Sequence, residues 1–263
     1  MKSKIISQIP AECPWRDTLY WYDTIDSTNT KARALAKDGA PHGTVLIADR
    51  QTAGRGRLGR SFVSPEGAGV YLSVILRPRC SPAQLMHLTC AVGVAICDAV
   101  EKAAGIRPGV KWINDIVWQK KKLGGILTEL SVDPKTGMID YAVVGVGINC
   151  LQAEFPKELE SIVSSLATAG KPVSTDTMAA GVIESLWQMD RLLLTEKEHL
   201  MERYRSLCIT LGQDIRILQP EVTLTGKALK IDSDGALIAQ LSDGSQITVN
   251  SGEVSIRGMY DYI

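Results

Sequence analysis

Short apolar runs separated by turn residues dominate the first part of the chain. Runs rich in β-branched and aromatic residues favour strands, while clusters of glycine, proline and aspartate favour turns. Because the runs follow one another as a meander, we expect an α+β fold with a mixed, largely antiparallel sheet and flanking helices. The predicted strands lie at 18–25, 44–48, 70–76, 110–118, 123–132 and 141–148.

Helical patterns with recognisable ends lie between these strands and after them. Asp26 and Ser27 offer caps to a short helix at 28–37, which Gly39 ends. A serine or threonine followed three positions later by glutamine or glutamate predicts a capping box at a helix start. The other predicted helices lie at 81–105, 156–169 and 177–194 and after Thr195, with capping boxes at Ser81/Gln84 and Thr195/Glu198.

The character of the chain changes after Gly212. Short strand patterns alternate with turn signals, of which Asp234-Gly235 and Asp243-Gly244 are typical hairpin turns. Several short strands in so few residues suggest a small barrel. We therefore expect two domains, at 1–211 and 212–263. The strands predicted in the second lie at 214–218, 224–231, 236–241, 246–250 and 254–257.

Composition narrows the possible functions. The chain has 263 residues, and its 29 Lys and Arg balance its 29 Asp and Glu, so it lacks a global electrostatic footprint for nucleic acid. Its six cysteines form no C-x-x-C pair and no metal spacing with the histidines. We see no leader peptide and expect no apolar run of membrane length, which favours a cytoplasmic protein.

The segment from Gln51 to Ser61 is the strongest chemical signal. Three arginines alternate with three glycines in it, and no apolar periodicity supports a helix or a strand. Glycine lets the backbone approach a ligand closely, and arginine offers planar donors suited to carboxylate and phosphate. The segment is either a loop that closes over an anion or a solvated basic loop.

Two known phosphate-binding motifs resemble this segment. Residues 54–59 match G-x-G-x-x-G, and residues 54–61 are one residue from a phosphate-loop motif. Both motifs need a helix that opens at the loop, because its N-terminus holds the phosphates. The sequence from Phe62 to Gly67 cannot form a long helix, so we reject both interpretations.

Lysine and glycine positions in the later strands are further candidates. Lys111 begins an apolar strand that carries Asn114 and Asp115 farther along. Strand alternation puts Lys111 and Asp115 on one face, so the lysine either binds an anionic ligand or pairs with that carboxylate. Glycines at 124, 125, 145 and 147 either open a ligand slot or allow tight helix packing. Ser27, Thr28 and Asn29 either cap a helix or bind a polar ligand.

Taken in order, these segments resemble the biotin protein ligases, over about residues 20–150, and the C-terminal strands resemble that family's SH3-like domain. The family's fold implies a class II aminoacyl-tRNA synthetase-like sheet. The motifs that carry the resemblance are Asp26-Ser27-Thr28-Asn29, Gln51 through Arg60 with Ser64-Pro65, Lys111-Trp112-x-Asn114-Asp115, Lys122-Leu123-Gly124-Gly125-Ile126-Leu127 and Gly145-x-Gly147-Ile148-Asn149.

The resemblance implies a two-step ligase. Biotin and ATP would form biotinyl-5′-adenylate, and a lysine of a biotin carboxyl carrier protein would then attack the mixed anhydride. Catalytic roles would fall to Lys111, Arg57 and Arg55. Biotin would contact Ser27, Thr28, Asn29, Gln51, Arg55, Gly56, Arg57, Lys111, Gly124 and Gly125. ATP would contact Arg60, Phe62, Asn114 and Asn149, and Asp115 would bind Mg²⁺.

The chain departs from the family's pattern in three respects. Phe62 stands where the family often has tryptophan, and Ile113 stands where it often has proline. Fewer than twenty residues precede the first predicted strand, too few for the winged-helix repressor domain of some members. We therefore expect a monomeric or homodimeric ligase that binds neither DNA nor membranes. The alternatives are a lipoate ligase and a non-catalytic anion sensor on the same scaffold.

Overall fold

The computed structural model describes residues 1–151, 155–218 and 222–250, together with the backbone of 253–256. A seven-stranded sheet in the order β1-β2-β3-β7-β6-β5-β4 forms its centre. The first two strands are parallel and the other neighbours are antiparallel. These strands are β1 (Leu19–Ile25), β2 (Thr44–Gln51), β3 (Gly69–Leu76), β4 (Gly109–Lys111), β5 (Asp115–Trp118), β6 (Lys121–Val132) and β7 (Ile139–Asn149).

Helices cover both faces of this sheet, so β3 is buried along its whole length. On one face α2 packs its alanines against β2, β3 and β7. On the other face α3 packs against the sheet and against α4 and α5. The predicted mixed sheet with flanking helices is confirmed. The helices are α1 (Lys2–Ile6), α2 (Thr28–Lys37), α3 (Leu88–Ala104), α4 (Thr175–Leu192) and α5 (Lys197–Leu207).

The expectation that no apolar run reaches the length of a membrane span was wrong. The helical stretch Pro82–Ala104 has 23 residues and a mean hydropathy of 1.5, enough to cross a membrane by length and composition. Its most apolar window is 72% buried inside the protein. Apolar packing on all sides explains the composition, since a helix that is hydrophobic all round belongs in a core or a membrane. The stretch is the central core helix of this fold.

A five-stranded antiparallel sheet follows α5, in the order β11-β10-β9-β8-β12. Its strands agree with the predicted ones, except that Arg257 lies outside the described residues. Gly235 and Gly244 have φ values of +91° and +87°, as the two predicted hairpin turns require. The strands are β8 (Asp214–Leu218), β9 (Thr223–Ile231), β10 (Leu237–Leu241), β11 (Gln246–Val249) and β12 (Glu253–Ile256).

The two sheets share one hydrophobic core. The indole Nε1–H of Trp112 donates to the carbonyl oxygen of Gly235 over 2.9 Å, and both groups are buried. The backbone N–H of Trp112 donates to Thr210 Oγ1, also over 2.9 Å. The segment that follows β4 is therefore fixed directly by the C-terminal sheet.

The predicted single strand at 110–118 is wrong. The chain reverses between Lys111 and Asp115, and these two residues lie opposite each other in the antiparallel pair β4–β5. Directly opposed residues of an antiparallel pair project to the same face, so Lys111 and Asp115 do share a face, through cross-strand pairing and not through alternation along one strand. Trp112 and Ile113 lie in this turn, and both side chains are buried. Because they are apolar, the sequence indicated a continuous strand and not a turn.

Two predicted helical features are also wrong. Between 156 and 169 the chain forms only a short 3₁₀ turn, Lys157–Leu159, followed by irregular structure that is hydrogen-bonded to the start of β6 and the end of β7. The capping box at Thr195 does not form, since α5 begins after Glu196 without a side-chain cap. The capping box at Ser81 does form, at the start of a 3₁₀ turn.

Candidate active site

A cleft of about 970 Å³, measured to its open mouth, lies over the middle of the large sheet. The strand ends of β2, β4, β5, β6 and β7 and the first turn of α2 supply its walls. The predicted site residues that line it are Ser27, Thr28, Asn29, Gln51, Arg55, Gly56, Arg57, Arg60, Phe62, Lys111, Asn114, Asp115 and Gly125.

The loop after β2 folds over this cleft as a narrow, irregular hairpin. Phe62 donates its N–H to the oxygen of Gly54 over 2.8 Å, and Gly56 donates to Arg60 over 2.7 Å. Arg57 Nη1 donates to Asn114 Oδ1 over 3.2 Å, which joins the loop to the turn after β4. No long helix follows the loop, so the dinucleotide and phosphate-loop interpretations are excluded by the structure as well.

Lys111 brings a second cation to the cleft. Its side chain is only 3% exposed, at the end of β4. Burying an ammonium group is costly unless it gains partners. The position directly opposite on β5 is Asp115, whose carboxylate contacts Lys122 Nζ at 2.6 Å. The cleft therefore gathers Arg55, Arg57, Arg60, Lys111 and Lys122 around a single described lining carboxylate, that of Asp115.

A hydrogen-bonded set of neutral side chains forms the neutral end of the cleft. Gln51 Oε1 accepts from the backbone N–H of Thr28 over 2.8 Å and from Thr28 Oγ1 over 3.2 Å. Ser73 Oγ lies 2.8 Å from Thr28 Oγ1 and 2.6 Å from Asn29 Oδ1. Ser27 makes no side-chain cap to α2, so helix capping does not account for this group of residues.

Phe62 and Gly147 form a flat apolar surface beside these groups. A Cβ added at Gly147 would lie 2.5 Å from the Phe62 ring, so only glycine lets the ring approach the sheet there. Tyr71 meets Phe62 edge to face, with ring centroids 6.3 Å apart. Burial raises the pKa of the Tyr71 phenol, which keeps it a donor to the oxygen of Pro65.

The structure does not bring two predicted residues into the cleft. A Cβ at Gly124 would collide with the oxygen of Gly147 on the neighbouring strand, so this glycine serves close strand pairing. Asn149 is buried and donates its Nδ2–H to the oxygen of Ser164 over 3.1 Å. It fixes the irregular segment after β7 beside the cleft and does not line it.

Sequence reasoning assigned no role to several residues that the structure places at the cleft. Lys122 stood within a quoted motif, but its pairing with Asp115 depends on the unpredicted β4–β5 turn. Trp112 also lines the cleft, and so do Gly145 and Gly147, which the sequence had indicated as possible parts of a ligand slot. Glu129 lies behind it and contacts Arg55. The available signal for Glu129 was that it is the only charged residue in the predicted strand 123–132.

The residues that line the cleft indicate the kind of ligand that it binds, even without a comparison with known proteins. A cleft lined both by a cluster of cations and by uncharged hydrogen-bonding groups suits a ligand pair that carries carboxylate and phosphate groups. Residues 21–149 match the Biotin/lipoate A/B protein ligase family, and residues 210–257 match the Biotin protein ligase C terminal domain. The chain belongs to the biotin protein ligase family.

Three relatives illustrate the similarity. The bifunctional ligase/repressor BirA of Bacillus subtilis is 36% identical over 86% of this chain and 70% of its own length. The biotin–[acetyl-CoA-carboxylase] ligase of Mycobacterium tuberculosis is 33% identical over 87% of this chain and 85% of its own. The biotin protein ligase of Aquifex aeolicus, solved with biotin and ATP, has a TM-score of 0.76 and 31% identity, covering 91% and 98%.

Proposed function

We propose that this protein is an ATP-dependent biotin protein ligase. In the first step a carboxylate oxygen of biotin attacks the α-phosphorus of ATP, and pyrophosphate leaves with the electrons of the broken phosphoanhydride bond. In the second step the amine of a carrier lysine attacks the acyl carbon, and AMP leaves. The observation that carries the proposal is the convergence of Arg55, Arg57 and Lys111 on one cleft in a member of this family.

The cleft's cations suit the first step because two anions must meet there. Lys111 would hold the biotin carboxylate and the α-phosphate, where charge changes during transfer. Preorganised cations in a water-poor site lower such a barrier by several kcal/mol. Arg55, Gly56 and Arg57 would cover the adenylate and keep water from hydrolysing it. The hairpin form of the loop and the Arg57–Asn114 contact support this role.

The neutral end of the cleft would bind the ring system of biotin. Its ureido group has one acceptor and two donors, which match hydroxyl and amide side chains. Ser27, Thr28, Asn29 and Gln51 offer such groups. Gly125 would let the flat ring approach β6, because a Cβ there has only the end of Lys122 nearby, at 3.4 Å. Gly124 would contribute through strand pairing alone.

ATP would extend toward Arg60, Phe62 and Asn114. Arg60 would meet the phosphates, and Phe62 would stack on adenine over a smaller area than tryptophan offers. Asn114 would act from the turn after β4, where its Nδ2 donates to the oxygen of Ile126 over 2.9 Å. Asn149 would act indirectly, through the segment that it fixes after β7.

A Mg²⁺ ion fits the site only together with the nucleotide. The described residues contain no cluster of three His, Cys, Asp or Glu that could hold a metal. Mg²⁺ on ATP needs one or two carboxylates, since phosphates and water supply the other ligands. Asp115 would provide that carboxylate, and the ion would neutralise charge on the phosphates.

The remaining expectations extend the proposal. The partner would be a biotin carboxyl carrier protein of the acetyl-CoA carboxylase type, met in the cytoplasm, with no role for nucleic acid or membrane. We propose domains at 1–211 and 212–263, the first with a class II aminoacyl-tRNA synthetase-like sheet and the second an SH3-like barrel. The matched range 210–257 supports that boundary. The ligase would act as a monomer or homodimer.

Pyrophosphate release tests the proposal directly. The protein is incubated with ATP and Mg²⁺ plus either biotin or lipoate, and pyrophosphate is measured over time. We expect pyrophosphate release in the reaction with biotin and ATP, and none in the reaction with lipoate and ATP. Release with lipoate alone would identify a lipoate ligase, and release with neither acid, despite measurable ATP binding, would support a non-catalytic sensor. Transfer of biotin to a carrier domain, measured as an increase in the mass of that domain, completes the assignment.

A further inference from the structure

Glu129 lies behind the cleft on β6 and holds three side chains, two from α2 and one from the arginine loop. Its carboxylate receives two donors from Arg55 of the arginine loop, Nη1 at 3.2 Å and Nη2 at 3.1 Å. It also accepts from Asn29 Nδ2 over 3.0 Å and from Arg33 Nη1 over 3.4 Å. The Glu129 side chain is 21% exposed, so these contacts are partly shielded from water.

The contact with Asn29 connects Glu129 to the neutral end of the cleft. Asn29 Oδ1 lies 2.6 Å from Ser73 Oγ, which in turn lies 2.8 Å from Thr28 Oγ1. Thr28 bonds to Gln51, whose Nε2 donates to Ser64 Oγ over 2.8 Å. With the hydroxyl of Thr28 donating to Ser73, the backbone N–H of Thr28 provides the bond to Gln51 Oε1, over 2.8 Å, and the chain of hydrogen bonds runs from Arg55 to Ser64. It therefore joins both arms of the loop through the floor of the cleft.

We propose that Glu129 is a positioning residue that fixes Arg55 and Asn29 for biotin binding. This inference rests on the proposed function. A carboxylate has two acceptor oxygens and can receive all of these donors at once. A glutamine at the same place replaces one acceptor by an NH₂ group, which would face the donors of Arg55, Arg33 or Asn29. Arg55 loses one of its two acceptors in either orientation of the glutamine amide, and Asn29 loses its acceptor as well when the NH₂ takes the place of Oε2.

Arg33 provides the matched control. It contacts the same carboxylate from α2, and its side chain is 44% exposed and does not line the cleft. An exposed pair of this kind contributes little to stability. A general stabilising role for Glu129 would involve Arg33 as much as Arg55. A positioning role in the cleft involves Arg55 and Asn29 alone.

The test compares steady-state pyrophosphate release of the full chain and of the Glu129→Gln, Arg33→Ala and Arg55→Ala variants and the Arg55→Ala/Glu129→Gln double variant. We expect Glu129→Gln to raise the KM for biotin about tenfold, with the KM for ATP and kcat nearly unchanged, as for lost ground-state binding. Arg33→Ala should match the wild type. In the Arg55→Ala background, adding Glu129→Gln should cost at most about threefold, because the shared contact is already gone.

Several outcomes would overturn the inference. An equal rise of the biotin KM in Arg33→Ala would show a merely structural ion pair. Tighter biotin binding by Glu129→Gln would show that Glu129 competes with the ligand for Arg55. If Glu129→Gln lowers the unfolding temperature, the Glu129→Asp variant, which keeps the charge, must have a KM for biotin closer to the wild-type value than Glu129→Gln has. A KM for biotin as high as that of Glu129→Gln would contradict the inference. Absence of biotin-dependent release by the wild type would instead refute the proposed function.

Discussion

Gly145 offers a sharp test of how the floor of the cleft is built. It lies on β7 with an ordinary backbone conformation, so alanine is not excluded by φ and ψ. An added Cβ, however, would point at the carboxamide of Asn29, colliding with Oδ1 and lying 2.7 Å from Cγ and 3.0 Å from Nδ2. The amide is held from behind by Ser73 and Glu129 and cannot turn away without losing them.

The size of the effect follows from these contacts. Overpacking a tight site costs roughly 1–3 kcal/mol. Displacing Asn29 also loses its bonds to Ser73, Glu129 and the oxygen of Leu127, each worth about 1 kcal/mol net. Because the backbone relaxes in part, we expect Gly145→Ala to lower the free energy of unfolding by about 3 kcal/mol. Biotin binding should weaken as well, since Asn29 lines the cleft.

Urea unfolding and calorimetric biotin titration measure the two effects. Gly181→Ala is the matched control, because Gly181 lies within α4 and its nearest neighbour is the oxygen of Ala99 at 4.0 Å. Alanine is the better helix former, so this control should gain about 0.5–1 kcal/mol and leave biotin affinity unchanged. A Gly145→Ala protein with wild-type stability and wild-type biotin affinity would refute the reasoning.

Further predictions concern the cations of the cleft and the buried thiols. Lys111→Ala should reduce adenylate formation at least about 100-fold, and near-normal pyrophosphate release would show that the lysine has a structural role only. Arg57→Gly should speed the escape of biotinyl-adenylate, followed as release of labelled adenylate from the protein; unchanged retention would contradict the covering role. Burial raises the pKa of Cys97 and Cys150 to about 12, so thiol reagents at about pH 8 should label them only after unfolding, and fast labelling of the folded chain would disprove their burial.

The sheet was predictable wherever strand and turn signals alternate. Glycine and proline separate the apolar runs of β3, β6 and β7, so their positions follow from local chemistry. The reversal after β4 was not predictable in this way. Trp112 and Ile113 are buried by distant parts of the chain, including Gly235. Tertiary packing therefore produced an apolar turn that looked like the interior of a strand.

The site was predictable to a different degree. The sequence indicated Arg55, Arg57 and Lys111 because each lies in a segment of unusual local composition. All three residues line the cleft. The partners of these residues carry no such signal. Glu129 is 74 positions from Arg55 and 100 from Asn29, so only the pairing of β6 with β7 and the packing of α2 bring them together.

The bond between Trp112 and Gly235 has a consequence for how the cleft comes into being during synthesis. The turn that carries Asn114 is held by Gly235, 123 positions from Trp112, so we expect the pocket to stay incomplete in a nascent chain until the hairpin at Gly235 has emerged. For the same reason, exchange of C-terminal segments among relatives must preserve the fit between the indole and the Asp234-Gly235 hairpin turn. The indole and the hairpin turn therefore have to fit each other in any such exchange.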